Sequence, residues 1–341
     1  MKYLQQVVEG RDLTVSEAEA LLGEVFNGAT DAQIGALLVA LKMKGEAVSE
    51  IAGLARAMRA QGVRISPRVP GPLVDTCGTG GDGSNTINVS TCAAIVAASS
   101  GAFVAKHGNY AVSSACGSAN VLAELGVEVA PGPERVCQAI ETLGIGFLLA
   151  PVFHPSMKRV ASLRRELATR TVFNILGPLT NPAGAPFQVL GVYDPRLCDK
   201  LAAALKILGA ERAMVVHGSG LDEITNTGPT RISELNGGRL KSYTVTPEEF
   251  GYPVARIDEI RGGSPEENAA QLVEILLGSM GPGRDVVAMN SGAALYVAGI
   301  AESLSDGARM AEESIDSGRA LTTLKRLVAS CGSPERLERF L

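Results

Sequence analysis

Residues 74–91 read Val-Asp-Thr-Cys-Gly-Thr-Gly-Gly-Asp-Gly-Ser-Asn-Thr-Ile-Asn-Val-Ser-Thr, and they combine most of what a backbone needs to hold a phosphate. Glycines at 78, 80, 81 and 83 let successive N–H groups turn toward an anion with no Cβ in the way. The hydroxyls and amides that follow lead into an alanine-rich stretch, Cys92–Ala98. A helix there would add unpaired N–H groups and the positive end of a dipole at its mouth. A plain surface turn has no use for so many hydroxyls at a helix entrance.

Three further groups carry chemistry. Lys106-His107-Gly108-Asn109 follows an apolar run, and Ser113-Ser114-x-x-Gly117-Ser118 opens another helix. A lysine, small hydroxyls and glycines after a strand make a second phosphate cradle. His217-Gly218-Ser219-Gly220-Leu221-Asp222-Glu223 also follows a strand. Adjacent carboxylates there suit Mg²⁺, which takes oxygen ligands and bridges phosphates; an exposed acidic turn would read the same in isolation. Beside two phosphate loops, however, the pair would be repulsive without a cation. Arg164, in the basic segment His154–Leu167, offers a fork that can hold a carboxylate bidentately.

The elements that must position these groups alternate. Candidate strands are Leu73–Asp75, Phe103–Lys106, Glu128–Ala130, Gly146–Leu149, Val189–Val192, Ala213–His217 and Val286–Met289. Candidate helices are Cys92–Ala98, Ala119–Leu125, Pro133–Leu143, Leu197–Leu208, Pro265–Leu277 and Leu304–Ser317. This alternation predicts an α/β domain with a mostly parallel central sheet covered by helices on both faces, and ligands gathered beyond the carboxyl ends of its strands. Residues 1–68 read instead as a small helical domain. Thr14-x-x-Glu17 and Thr30-x-x-Gln33 fit capping boxes, and Ser49 is a third candidate cap. Its apolar faces suit a core and also a subunit contact. Pro67, Pro70 and Pro72 mark the linker to an α/β domain over 69–341, and residues 154–182 read as an excursion back to the helices.

Composition narrows the partners. The chain has 341 residues, enough for two domains, and a net charge of −5, so affinity for anions must come from a local site and not from bulk charge. Six cysteines (77, 92, 116, 137, 198 and 331) contain no C-x-x-C pair, and only three histidines are present, which argues against a His-rich metal centre. The N-terminus has no apolar signal core, and the most apolar run, Cys92–Ala105, is too short to span a membrane. A cytoplasmic location, with neither nucleic acid nor membrane as partner, is expected.

Taken in order, Gly78-Thr-Gly-Gly-Asp82, Asn88-Val-Ser-Thr91, Lys106-His-Gly-Asn109, Arg164, Asn174-x-Leu-Gly-Pro-Leu-x-Asn-Pro182 and Gly220-Leu-Asp-Glu223 resemble the anthranilate phosphoribosyltransferases of tryptophan biosynthesis over essentially the whole chain. The resemblance implies a pyrimidine nucleoside phosphorylase-like fold and a homodimer formed through the helices. It implies transfer of the phosphoribosyl group of phosphoribosyl pyrophosphate (PRPP) to the amine of anthranilate, with release of pyrophosphate. On matching positions, PRPP would be surrounded by Gly78, Gly81, Asp82, Thr86, Asn88, Val89, Ser90, Thr91, Lys106, His107, Gly108, Asn109, Ser113, Ser114 and Ser118. Two Mg²⁺ per monomer would sit on Ser90 with Glu223 and on Asp222 with Glu223. Anthranilate would meet Gly78, Asn109, His154, Arg164, Gly177 and Pro178.

No general base is implied. An aromatic amine carries its own lone pair, and cleavage at an anomeric carbon depends on charge neutralisation and positioning. Four positions depart from the family pattern. Tyr110 stands where arginine is common, Ala115 near a usual basic residue, Asn120 where aspartate is usual, and Phe153 replaces the first of a frequent histidine pair. Other activities compatible with these residues are a pyrimidine nucleoside phosphorylase-like enzyme and a non-catalytic nucleotide- or nucleic-acid-binding relative. The Asp222-Glu223 pair and the Asn174–Pro182 turn speak against the first, and net acidity against the second.

Overall fold

The computed structural model describes residues 1–111 and 115–341. Four helices open the chain: α1 (Leu4–Val8), α2 (Val15–Phe26), α3 (Asp31–Lys44) and α4 (Val48–Gln61). Both expected capping boxes form, the Thr14 and Thr30 hydroxyls accepting from the N–H groups of Glu17 and Gln33. The third cap differs. Helix α4 begins at Val48, before Ser49, and the Ser49 hydroxyl donates to the Leu13 carbonyl at 2.7 Å. Glu50 sets this entry: fully buried, it accepts from the N–H groups of Leu13 and Ala47 and pairs with Lys44 at 2.8 Å. Charge-assisted bonds to a buried carboxylate outweigh one hydroxyl cap.

The remaining helices are α5 (Val89–Ser99), α6 (Ser118–Glu124), α7 (Pro133–Leu143), α8 (Ala150–Phe153), α9 (Lys158–Leu167), α10 (Phe173–Leu176), α11 (Leu197–Ile207), α12 (Pro265–Leu276), α13 (Pro282–Val297), α14 (Leu304–Asp316) and α15 (Arg319–Ser330), with short turns at the end. They flank a seven-stranded sheet of β1 (Leu73–Gly78), β2 (Phe103–Gly108), β3 (Ile145–Leu149), β4 (Phe187–Gly191), β5 (Arg212–Gly218), β6 (Thr230–Asn236) and β7 (Arg239–Val245), in the order β3-β2-β1-β4-β5-β6-β7. The first five strands run parallel, and β6 and β7 add antiparallel pairs at one side.

Successive residues in a strand point to opposite faces, and the core divides accordingly. Val74, Val189 and Met214 pack with α5 and α13; Cys77, Leu190 and Val215 pack with the N-terminal helices and α11. Both faces of the sheet are therefore covered by helices, as the alternation predicted.

Two expected strands are not strands. Val286–Met289 lies inside α13, whose residues are buried almost all round, and an apolar run of that kind has no period to separate helix from strand. Around Glu128–Ala130 there is only an isolated bridge from Val127 to Gly332. Conversely, β6 and β7 escaped the sequence. Strand β7 is mostly exposed and polar, so it lacks the apolar signal, although the Gly237-Gly238 turn between them has the positive φ (55° and 76°) of a tight hairpin.

The segment after β3 returns to the N-terminal helices. The Arg159 guanidinium pairs with Asp31 at 2.6 Å and donates to the Ala29 carbonyl at 2.7 Å, and Lys42 donates to Thr169. Val160, Leu163, Phe173 and Leu176 join the core of those helices.

Candidate active site

Four parallel strands end on glycine at the same edge of the sheet: β1 at Gly78, β2 at Gly108, β4 at Gly191 and β5 at Gly218. Three of them clear space for one turn. A Cβ on Gly78 would strike the Asp222 carboxylate, on Gly191 the Asp222 carbonyl, and on Gly218 the Glu223 carbonyl. The acidic turn therefore folds back across the strand ends, and glycine is required there by close approach rather than by a turn conformation. From beneath, the buried Asn290 of α13 holds it, accepting from the Ile224 N–H at 3.0 Å and donating to the Ile224 carbonyl at 2.7 Å.

The 78–91 loop wraps the same point. Gly80, Gly81 and Gly83 have φ of 62°, 77° and 77°, and the Gly80 N–H donates to Asp222 Oδ2 at 2.7 Å. Asp82 accepts from the N–H and hydroxyl of Ser84, closing a local turn. Thr86 makes the outer attachment, bridging to Arg261. Asn88 is locked on both sides, donating to the Cys116 carbonyl and accepting from Asn268 at 2.8 Å. Val89 and Thr91 are buried, whereas Ser90 faces the acidic turn, its N–H donating to Glu223 and its hydroxyl accepting from Lys106 Nζ at 3.3 Å.

Lys106 is 2 % exposed and donates to the Thr76 carbonyl at 2.6 Å. Burial pushes its ammonium down, opposed by Asp75 and by the Asp222-Glu223 pair. Asp75 lies beneath, 0 % exposed, accepting from the His107 N–H at 3.1 Å. The carboxylates shift the other way. Burial, then repulsion from Asp82, raises Asp222 to about 7, and burial with repulsion from Asp222 raises Glu223 well above the usual range. Buried acids held this close favour a hard cation, which would restore their charge. Among the described residues no three His, Cys, Asp or Glu side chains form a closed metal cage. Mg²⁺ needs only one or two carboxylates and completes its shell with water and substrate phosphate; Asp222, Glu223 and the Ser90 hydroxyl fit it.

The aromatic side of the site centres on two histidines. His107 and His154 meet edge to face with ring centroids 5.2 Å apart, and the His107 ring hydrogen-bonds to Gly177. Burial lowers His107 to about 3 and His154 to about 4, so both are neutral near pH 7. The Pro178 carbonyl accepts from Gln188 Nε2 at 2.7 Å. Arg164 is half-buried on α9 with its guanidinium 5.7 Å from the Phe173 ring centroid. Asn109 turns its Oδ1 to the Tyr110 N–H, and Ser118 is the first residue of α6. Ser113 and Ser114 lie outside the described residues.

Among the departing positions, Asn120 uses its side chain locally. Asn120 accepts from the N–H groups of both Ala111 and Gly117, and the Ala115 N–H donates to Asn85. Tyr110 is exposed and Phe153 is buried. Sequence reasoning passed over Asp75, Gln188, Asn290 and Arg170. Arg170 reaches from beyond α9 to donate to the Gly81 carbonyl, and its guanidinium stacks 4.2 Å from the Tyr193 ring centroid. Tyr193 is itself tied to the loop, its N–H donating to Thr79 Oγ1 at 3.2 Å. Only the unlike neighbours in space reveal these roles.

Comparison with known proteins gives the family. The family model described as glycosyl transferase family, a/b domain, matches residues 70–321, and the one described as glycosyl transferase family, helical bundle domain, matches residues 1–62. The anthranilate phosphoribosyltransferase of Methanococcoides burtonii is 54 % identical over 326 residues, covering 96 % of this chain and 92 % of its own. That of Haloferax volcanii is 56 % identical over 319 residues, covering 93 % and 96 %. Among solved structures, the Thermus thermophilus anthranilate phosphoribosyltransferase aligns with a TM-score of 0.92 at 47 % identity, covering 97 % of this chain and 99 % of its own. The Saccharomyces cerevisiae enzyme in complex with PRPP and Mg aligns with a TM-score of 0.88 at 29 % identity, each chain covered to 96 %. With the glycine loop, the buried lysine and the acidic turn on one sheet edge, and relatives above half identity along nearly the whole length, the chain belongs to the anthranilate phosphoribosyltransferase family.

Proposed function

We propose that the chain transfers the phosphoribosyl group of PRPP to the amine of anthranilate, giving N-(5-phosphoribosyl)anthranilate and pyrophosphate, in tryptophan biosynthesis. The observation that carries this is the Asp222-Glu223 turn folded against Gly78, Gly191 and Gly218, within bonding reach of the phosphate loop through Gly80. Such an arrangement suits a place where polyphosphate and a divalent cation meet.

PRPP occupies the space between the 78–91 loop and the Lys106–Ser118 segment. Ser90 with Glu223 holds one Mg²⁺, and Asp222 with Glu223 a second; bound there, the ions neutralise the charge of the departing pyrophosphate. Lys106 and the loop N–H groups add fixed positive charge that needs no reorganisation. The bond from the anomeric carbon to pyrophosphate breaks, the bond to the anthranilate nitrogen forms, and the amine proton leaves to solvent. Asn109 and Arg164 hold the acceptor, Arg164 by its carboxylate, while neutral His154 and the Gly177-Pro178 turn line its channel. No side chain is needed as a base.

Residues 1–68 with 154–182 act as the helical unit and 69–341 as the α/β unit; the Arg159–Asp31 pair supports grouping the excursion with the helices. The occupant of the outer helical face is a second copy of the chain. In support, Val8 on α1 and Val39 and Met43 on α3 are exposed, Met43 to 82 %. No helix is long and apolar enough to cross a membrane among the described residues, and the enzyme works in the cytoplasm.

The test is direct. Protein mixed with anthranilate, PRPP and Mg²⁺ should quench anthranilate fluorescence and release one pyrophosphate per anthranilate consumed. No loss of fluorescence across pH and magnesium would overturn the acceptor.

A further inference from the structure

The acidic pair is delivered by a tight reversal of the chain. Gly218 and Leu221 exchange both backbone hydrogen bonds, at 3.0 Å and 2.9 Å, across the two residues Ser219 and Gly220. Those two have φ of 50° and 100°, the left-handed pair that a two-residue reversal of this hand demands. A serine rarely adopts that conformation, and its hydroxyl donates to the Pro229 carbonyl at 2.9 Å to hold it. Asp222 and Glu223 follow directly, so the attitude of the reversal sets where their carboxylates lie.

The exchange between Gly218 and Leu221 leaves the Gly220 N–H unused, and His217, just before the reversal, takes it up. The Gly220 N–H donates to His217 Nε2 at 3.3 Å, and His217 Nδ1 lies 2.7 Å from the Val192 carbonyl. These partners fix the ring's proton. A carbonyl only accepts and an amide N–H only donates, so Nδ1 carries the hydrogen and Nε2 the lone pair. Asp194, whose carboxylate feels the ring, is paired with Arg196 at 2.6 Å. The half-buried imidazole is therefore held by its two hydrogen bonds and not by an ion pair.

The far anchor of the ring also belongs to the site. At the exit of β4 the Val192 N–H donates to the Val216 carbonyl at 2.9 Å, and the Gly191 carbonyl accepts from the Thr79 N–H at 2.9 Å. Thr79 Oγ1 accepts in turn from the Tyr193 N–H at 3.2 Å. The segment that His217 grips thus carries the start of the glycine loop as well.

We propose that His217 is a positioning residue for the metal site: its Nδ1–H imidazole ties the reversal at Gly220 to the exit of β4, and so sets Asp222 and Glu223 for the cation. It acts through Gly220 and not on the cation itself. The proposal rests on the reading of the acidic pair as Mg²⁺ ligands. Outer partners that orient metal ligands account for about 10- to 100-fold in metal affinity.

Two variants separate the ring's two bonds. His217→Gln keeps an acceptor near the position of Nε2, within reach of Gly220. His217→Asn keeps a donor near the position of Nδ1 for Val192 and is too short to reach Gly220. Each full chain is titrated with Mn²⁺, which takes the same oxygen ligands, and followed by electron paramagnetic resonance without substrates, beside a thermal melt. His217→Gln should bind as wild type does, and His217→Asn about tenfold more weakly while melting with wild type. Imidazole ¹⁵N NMR of the wild-type chain, which has only three histidines, should show His217 protonated at Nδ1 and bare at Nε2, its signals assigned by their loss in His217→Gln. Wild-type affinity in His217→Asn, equal losses in both variants, or the opposite tautomer overturns the proposal. Mn²⁺ binding that persists in Asp222→Asn with Glu223→Gln would instead overturn the metal reading, and this assignment with it.

Discussion

Adding one methyl group at Gly78 should move the Asp222 carboxylate without touching its charge. The Gly78 backbone has no positive φ, so alanine is conformationally allowed, yet its Cβ would lie 2.3 Å from Asp222 Oδ2, where ordinary contact begins near 3.4 Å. The carboxylate must retreat by about 1 Å, breaking the 2.7 Å bond from the Gly80 N–H. Misplacement of that size in a preorganised site costs about 10²-fold in rate, equivalent to about 2.7 kcal/mol of transition-state stabilisation. The assay is kcat/KM from anthranilate fluorescence at several Mg²⁺ concentrations, beside a thermal melt. Gly78→Ala should melt close to wild type, lose about two orders of magnitude in kcat/KM, and need more Mg²⁺ for half-maximal rate. Activity within about threefold of wild type would refute the argument. So would a large loss with unchanged Mg²⁺ dependence, because the methyl would then be blocking substrate and not displacing the carboxylate.

Asp222→Asn with Glu223→Gln should abolish pyrophosphate release at every Mg²⁺ concentration while the protein stays folded; the pyrophosphate assay and circular dichroism check both halves. Arg170→Met removes the bond to the Gly81 carbonyl and the stack on Tyr193, and should raise KM for PRPP about tenfold with kcat little changed; a fall in kcat alone would count against it. His154 is lowered to about 4 from an ordinary 6.5. The unfolded chain therefore takes up the extra proton as pH falls through 6.5, and the stability present above that pH drains away down to about 4, at up to about 1.4 kcal/mol per pH unit. His154→Phe should flatten that part of the wild-type profile in denaturant titrations, and parallel profiles would show that the ring is not the cause.

Much of the candidate site was legible in local sequence. A glycine run before a hydroxyl-rich helix entrance, a lysine after a strand and paired acids after another strand each carry their chemistry in residue type and spacing. Backbone freedom, charge and hydroxyl count are properties of the residues themselves. The alternation of apolar runs likewise predicted a helix-covered parallel sheet, because each strand had to be apolar on both faces. Where that signal loses its period it misleads: Val286–Met289 is helix, and polar β7 is strand.

Tertiary structure decided what depends on distant neighbours. Gly78 reads as one more flexible loop residue until Asp222, which also bonds Gly80 across 142 positions of sequence, is seen filling the space its Cβ would take. Asp75 and Gln188 are ordinary strand residues until they are found beneath Lys106 and the Pro178 carbonyl, and Arg170 is one of several arginines until it reaches Gly81. The residues determine which groups can do chemistry. Packing determines which of them are stripped of water and brought within a few ångströms of each other, and so which charges are shifted.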